Sequence, residues 1–197
     1  MTPTKPLKDL LVEGKILRGA HTGKPTSESD PLYPVVGIRA LAEDGTVDQD
    51  NVEHLAVRTE TDIERARIHT GDVLLSMRGQ FRAALADEKC EGHILSQNLV
   101  ILRFREEADA ALMAEYFNSQ QGRDALAALA RGTVLPMLSI MALERLEVPA
   151  LNRANDGEGL AACLAAYREY EALARKEAEL TARIKEALIA DYLGVRR

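Results

Sequence analysis

The alternation of apolar and polar positions divides this chain into a strand-rich first half, a run of short helical segments and one long closing helix. Residues Gly71-Asp72-Val73-Leu74-Leu75-Ser76-Met77-Arg78-Gly79 pass from an uninterrupted apolar run into a basic turn closed by glycine. Such a run reads as a buried strand, Asp72–Ser76, that delivers the polar turn Ser76–Gln80 to the surface. Phe81–Ala86 is predicted to return antiparallel to it. Leu99–Phe104, flanked by Leu95, places Val100, Ile101 and Leu102 in a row, as in a strand covered on both faces. Tyr33–Ala40 carries the β-branched Val35, Val36 and Ile38 and reads as a strand, with Asp44-Gly45 as the turn beyond it. His54–Val57 is a further strand and Glu60–Arg67 a charged helix. Residues 7–23 mix apolar and basic positions, with Asp9 and Glu13 expected on one helix, and end in the turn-rich His21–Pro25.

From Glu107 the period becomes helical. Ala111, Leu112, Tyr116 and Phe117 are predicted to share the buried face, and Ser119–Gly122 ends the helix. Asp124–Ala130 forms a second one, stopped by Gly132. Leu135 is extended because it precedes Pro136. Ser139 suits the N-cap of Ile140–Arg145, and Leu146–Pro149 is a short strand. Met137, Leu138 and Met141 are expected in the core. Residues 152–157 read as a linker in which Asp156 caps the helix that follows. That helix carries Leu160, Leu164, Tyr167, Tyr170, Leu173, Leu180, Ile184 and Leu188. The seven-residue steps Leu160 to Tyr167 and Leu173 to Leu180 are separated by two steps of three, a stammer in the heptad. One apolar stripe on so long a helix needs a partner helix; the alternative is that it folds back over its own domain. The expected fold class is α+β: a mixed, β-rich domain over residues 1–152 with flanking short helices, then a long coiled-coil-type helix over residues 153–197.

Composition narrows the function. Aromatic residues make up 4% and tryptophan is absent, so nucleic-acid contacts cannot rest on stacking platforms. The net charge of −6 opposes phosphate binding unless a basic face is local. Acidic surplus concentrates in Glu43–Asp50, Asp87–Glu91 and Glu106–Asp109. No window reaches the ~20 apolar residues that span a bilayer, and Met1–Asp9 lacks the apolar centre of a signal peptide. Cys90 and Cys163 stand far apart in unrelated contexts, as unpaired thiols in a reducing compartment do, and a cytoplasmic location is expected. Phosphate-binding glycine loops are missing, and the four histidines are scattered without metal-ligand spacing. Ser76 and Ser139 lack a nucleophile-elbow context. Glu13-Gly14-Lys15 matches a nuclease Glu-x-Lys only superficially, and no Asn-Pro-Pro-Tyr methyltransferase motif occurs. No catalysis, metal or cofactor is expected in this chain.

Several motifs then fall in a definite order: Thr22-Gly23-Lys24-Pro25, Tyr33–Arg39, Gly71–Ser76 with Arg78-Gly79, and Gln97-Asn98-Leu99. Tyr116-Phe117-Asn118-Ser119 with Gly122, Leu129-Ala130 with Gly132-Thr133, Leu138-Ser139, Leu146–Pro149 and the long helix follow. Over roughly residues 7–193 this series resembles a target recognition domain of a type I restriction-modification specificity (S) subunit, followed by one spacer helix. The resemblance implies a non-catalytic module that reads half of a bipartite double-stranded DNA target and docks the methyltransferase (M) subunit. S-adenosylmethionine would then bind the M subunit, and a nuclease/translocase (R) subunit can join. S subunits of that family carry two such domains, so one domain with one helix resembles a half-subunit, and a homodimer through the helix is expected.

Base-edge readout calls for Arg, Lys, Gln or Asn on a rigid support, with phosphate anchors around it. Arg78, Gln80 and Arg82 lie just beyond the strongest strand, Arg131 and Thr133 flank Gly132, and Lys24 and Arg39 are further candidates. Each alone is more often a solvated surface group; as a set, at least two are expected to touch DNA. The partner helix is expected to use Leu160, Leu164, Tyr167, Leu173, Leu180 and Ile184. The alternative reading, favoured by the acidic balance, is a regulatory or interaction protein that keeps the fold without reading DNA.

Overall fold

A strand covered on both faces has no polar side to show to water, and two such strands form the centre of this molecule. The computed structural model describes residues 4–27, 29–132, 134–150 and 157–193, without the side chains of residues 157, 158, 160, 161, 165, 168, 171 and 172. In chain order the strands are β1 (Thr4–Pro6), β2 (Leu11–Arg18), β3 (Thr22–Gly23), β4 (Leu32–Val36), β5 (Glu53–Val57), β6 (Val73–Ser76), β7 (Ala83–Leu85), β8 (Ile94–Leu95), β9 (Leu99–Phe104) and β10 (Glu147–Pro149). The helices are α1 (Glu60–Arg65), α2 (Glu107–Asn118), α3 (Gln120–Leu129), α4 (Ile140–Glu144) and α5 (Gly157–Tyr192).

The central sheet has the order β2-β9-β6-β7 and is antiparallel throughout. A second sheet, β3-β5-β4-β8, contains one parallel pair, β4 with β8, and a small ribbon joins β1 to β10. Register in the central sheet sets Val73 opposite Leu102, Leu74 opposite Ile101 and Leu75 opposite Val100. Side chains alternate across a strand. Val73, Leu75, Val100, Leu102 and Phe104 therefore meet the helices, at Ala110, Met113, Ala114 and Phe117. Leu74, Ala84, Leu99 and Ile101 meet the second sheet, at Val35, Val36, Ile94 and Leu95. Two cores share one sheet, which explains the unbroken apolar runs of β6 and β9.

Just before β6, a turn with Gly71 at φ +86° brings Asp72 into the interior, where the residue is 2% exposed. Its two oxygens accept from Nε and Nη2 of Arg103 on β9, both at 2.7 Å, and the second also accepts from the His69 amide at 2.8 Å. The hydrogen bonds from Arg103 to Asp72 hold the guanidinium above its ordinary pKa against the opposing effect of burial. Beside the same turn, Glu91 accepts from the Thr70 amide at 2.6 Å and pairs with His69 Nδ1 at 2.9 Å. The Thr70 amide, then His69 and the Thr70 hydroxyl, draw that carboxyl down to about 2. Cys90 and Cys163 are both free. Cys90 is buried, and burial followed by the neighbouring Asp87 carboxylate pushes its thiol up to about 11.

Several expectations need correction. Residues 11–18 form β2 and not a helix, with a bulge between Leu11 and Ile16 where Glu13 and Gly14 take φ of +52° and +64°. Asp9 lies in the preceding 3-10 turn, so Asp9 and Glu13 share no helix; Glu13 pairs with Lys15 at 2.6 Å. The strand expected over Tyr33–Ala40 ends at Val36 and tightens into a 3-10 turn at Ile38–Ala40, which exposes Arg39. The buried face of α2 is Ala110, Met113, Ala114 and Phe117, one position away from Ala111 and Leu112, which are half-exposed. Leu138 is in the core as expected, whereas Met137 and Met141 are exposed at 41% and 62%. The proposed division at 152–153 and the Asp156 cap lie outside the described residues. The strands at 53–57, 73–76, 99–104 and 147–149 and the Ser139 cap are as expected; Ser139 Oγ accepts from the Ala142 amide at 3.2 Å.

Helix α5 has 36 residues, about 54 Å at 1.5 Å per residue. It lies beside α2, and Arg175 pairs with Asp44 at 2.9 Å. Burial raises the Asp44 pKa, but the Thr46 hydroxyl and amide together with Arg175 outweigh it and hold the carboxyl below its ordinary value. Leu164 is half-buried, while Tyr167, Tyr170, Leu173, Leu180 and Ile184 are exposed. The contact with its own domain thus leaves most of the apolar stripe uncovered.

Asp72→Ala should destabilise the fold by on the order of 3 kcal/mol, because Arg103 and the His69 amide lose their shared acceptor in the interior. Urea unfolding monitored by circular dichroism measures this; a loss within the error of the wild type would show that the pair contributes nothing net.

Candidate nucleic-acid interface

The polar end of β6 is built around one hydroxyl. Ser76 is fully buried; its Oγ donates to the Gln80 carbonyl at 2.8 Å and accepts from the Arg82 amide at 2.9 Å. The Ser76 amide in turn donates to the Arg82 carbonyl at 3.0 Å. These bonds close the turn 77–81 over the strand end, and Gly79, at φ +72°, supplies the left-handed conformation it requires. The turn is then tied down from outside. The Met77 amide donates to Asn98 at 3.0 Å, the Leu138 amide to Met77 at 3.0 Å and the Gly79 amide to Pro136 at 3.0 Å. Arg78, carried on this scaffold, is exposed.

Three depressions meet around that turn. A groove of about 470 Å³ is lined by Ile38, Arg39, Arg78, Gln80, Arg82 and Leu135, with Gly79 and Asn98 at its floor or wall. Among the described residues no acidic side chain lines it. A second, of about 360 Å³, runs from Arg78 past Gln97 and Asn98 to Arg18, His21 and Arg65, with Asp62 as its acid. The largest, about 750 Å³, extends from Gln80 and Arg82 along Asn118, Gln120 and Arg123 of the α2–α3 corner, with Glu43 and Asp124 on its walls.

Four of the seven residues picked from sequence therefore come together: Arg39, Arg78, Gln80 and Arg82 share one groove. They are not equivalent. Arg82 donates to Glu43 at 2.8 Å, to Gln80 Oε1 at 2.9 Å and to the Leu41 carbonyl at 3.4 Å. Its charge is already engaged, so it orients Gln80, leaving the Gln80 amide NH2 as the group that residue can offer. Arg131 is exposed at the base of the loop 131–137, where its amide and carbonyl pair with those of Met137 at 2.9 Å; it lines none of the three depressions. Lys24 also lines none of them; it follows β3 at the end of the second sheet. Thr133 lies outside the described residues.

Sequence reasoning missed Arg18, Arg123 and the selection of Gln97 and Asn98. Gly19 would have been a signal: a Cβ there would stand 1.9 Å from the Ser96 carbonyl oxygen, so only glycine lets the end of β2 cross the 96–98 turn. That crossing carries Arg18 to Gln97 and Asn98. Asn118 is part of the frame: its side-chain amide accepts from the Ala83 amide at 3.0 Å and donates to the Ala83 carbonyl at 2.8 Å, as a neighbouring strand would. Arg123 donates to the Asn118 carbonyl. Among the described residues no group of three His, Cys, Asp or Glu side chains is placed to hold a metal ion, and no helix is long and apolar enough to cross a membrane.

Ser76→Ala is expected to cost ~1–3 kcal/mol, since it strands the Arg82 amide, and to speed exchange of the amides of residues 77–82. Urea unfolding with hydrogen-exchange mass spectrometry tests both; unchanged exchange in that turn would show that the hydroxyl does not hold it.

No protein-family model matches the sequence, and no curated protein matches it significantly. Solved structures do. The S subunit of a type I restriction-modification system from M. genitalium aligns with a TM-score of 0.61 at 18% identity, covering 94% of this chain and 44% of that one. The HsdS subunit from Thermoanaerobacter tengcongensis gives 0.59 at 18% identity, covering 96% and 47%. A chain from a structural study of complex assembly and conformational transition in the type I R-M system gives 0.61 at 18%, covering 98% and 50%. This chain spans about half the length of each, and over that half it has the fold of a type I restriction-modification S subunit.

Proposed function

We propose that this protein is a DNA-specificity component of a type I restriction-modification assembly, reading one half of a bipartite target. The supporting observation is the acid-free groove of Arg39, Arg78 and Gln80, carried on a fold shared with S subunits. In this reading Arg78 and Gln80 reach base edges in the major groove, where Arg pairs with guanine and Gln with adenine. Arg39 and Arg18 hold phosphates on either side, and Arg82 and Ser76 keep the readers in place. The chain contributes position and selectivity. Methyl transfer belongs to a partner methyltransferase subunit that holds S-adenosylmethionine, and a nuclease/translocase subunit can join the assembly.

The exposed stripe Tyr167, Leu173, Leu180 and Ile184 on α5 supports pairing through that helix. A second copy, packed helix to helix, sets two identical heads at a fixed separation, which matches a symmetric, interrupted target. The reading as an interaction protein that no longer binds DNA is favoured by the net charge of −6 and the engagement of Arg82 by Glu43. The two separate on salt dependence, because a phosphate-contacting reader loses affinity steeply as salt rises.

The decisive experiment is co-purification with a type I methyltransferase subunit from the same organism, followed by mapping of methylated bases. A defined interrupted motif is expected; a complex that modifies no defined sequence overturns the proposal. In the same complex Arg78→Ala should weaken binding to that motif by ~1–3 kcal/mol, read by fluorescence anisotropy. An unchanged affinity removes Arg78 from the readers. Leu173→Glu, Leu180→Glu and Ile184→Glu together should abolish self-association and methyltransferase docking while leaving the head folded. Light scattering after size exclusion decides this, and an unchanged mass with intact partner binding would refute it.

A further inference from the structure

Beside the basic groove stands a tip that is apolar where solvent should favour polar residues. Val134 is 96% exposed and Leu135 52%, with Pro136 and Met137 following. The backbone beneath is fixed. Arg131 and Met137 exchange two hydrogen bonds of 2.9 Å, and the turn 77–79 adds the bonds from Gly79 to Pro136 and from Leu138 to Met77. Gly132, at φ +98°, takes a conformation other residues rarely adopt, and a Cβ there would lie 3.0 Å from the Leu135 carbonyl oxygen. Leu135 itself lines the groove that holds Arg39, Arg78 and Arg82.

A loop tied at its base that presents aliphatic side chains to water forgoes burial worth roughly 25 cal/mol per Å², which an occupant would recover. The surroundings choose its chemistry. Among the described residues the groove beside the tip is lined by Arg39 and Arg78, with Arg82 paired to Glu43, and by no acid, which suits a polyanion and not an apolar protein surface. Leu, Met and Pro are the side chains that proteins insert between base pairs, where stacked bases offer an apolar slot behind a phosphate rail. We propose that Val134 and Leu135 form a wedge that enters the base stack of duplex DNA while Arg39 holds the adjoining backbone and Arg78 reads the neighbouring base edge. The inference rests on the DNA-reading role above and deepens it: selectivity then includes how readily the target unstacks, as well as which base edges it displays.

The test uses the full chain with its methyltransferase partner and a short duplex containing the mapped motif, with thymine reactivity to permanganate reporting unstacking and anisotropy reporting affinity. The wild type should make one or two thymines near the groove reactive. The double variant Val134→Ser, Leu135→Ser should lose that reactivity and bind about tenfold more weakly, with the slope of log affinity against log salt unchanged because no charge is altered. An unaltered thermal midpoint is expected, since both side chains are exposed. Wild-type binding without reactive thymines, or a variant that keeps both reactivity and affinity, overturns the wedge and leaves base reading by Arg78 intact. Loss of methyltransferase co-purification in the variant, with no unstacking by the wild type, assigns the tip to a protein contact and likewise overturns it. No duplex binding by the wild-type complex removes the wedge together with the reading it rests on.

Discussion

Pairing of β6 with β9, each covered on both faces, is the constraint from which the rest of the architecture follows. Because Val73 and Leu75 face one core and Leu74 the other, neither strand can display a polar side chain along its length. Polar chemistry is driven to the strand ends. At one end Asp72 and Arg103 neutralise each other across the pair; at the other Ser76 turns its hydroxyl back onto the chain and throws the 77–81 turn outward. A groove built there inherits the rigidity of two cores. In the proposed role, discrimination between bases would depend on that rigidity, because a reader free to shift by an ångström can satisfy more than one base edge.

The parts of this design visible in the sequence are those where burial writes an unmistakable pattern. Two-sided burial gives consecutive apolar residues, so β6 and β9 stand out, and the basic turn after Ser76 points to Arg78 and Gln80. The buried face of α2 was not legible: Ala110, Ala111, Leu112, Met113 and Ala114 are all apolar, so periodicity cannot choose between two faces one position apart. β2 was hidden by its bulge, where Glu13 and Gly14 break the alternation that identifies a strand. Arg18 became a candidate only through a crossing that Gly19 permits, a relation between residues 77 positions apart. Met137 and Met141 were misjudged for a different reason. Apolar character records which residues prefer to leave water, and it does not say whether the core or a ligand receives them.

Helix α5 shows how a rod is aimed. Its contact beside α2 and the Arg175–Asp44 pair attach it to the loop that also supports β7, since Gly45 accepts from the Leu85 amide at 2.9 Å. The Thr46 hydroxyl and amide hold Asp44 from within its own loop, and Arg175 adds a contact from the helix. Tyr167, Leu173, Leu180 and Ile184 of the stripe are exposed. In the proposed pairing, a helix fastened near its middle at Arg175, with exposed apolar residues on it, would convert the position of a second helix into the position of a second head.

The remaining tension is between an acidic protein and an anionic ligand, and it dissolves once charge is considered locally. Net charge governs approach from beyond a Debye length, which is about 8 Å at physiological ionic strength. Inside that distance the residues lining the groove decide, and those are Arg39, Arg78 and Arg82, with only Arg82 offset by Glu43. An acidic exterior with one basic groove has a consequence that a uniformly basic protein lacks. In the proposed role, non-specific contact with duplex would be disfavoured by the net charge, so residence on unrelated sequence would be short and affinity would depend on the groove and tip engaging together. The acidic surplus in 87–91 and 106–109 would in that role add to the selectivity by opposing other docking poses, whereas Glu43 already stands beside the groove on Arg82.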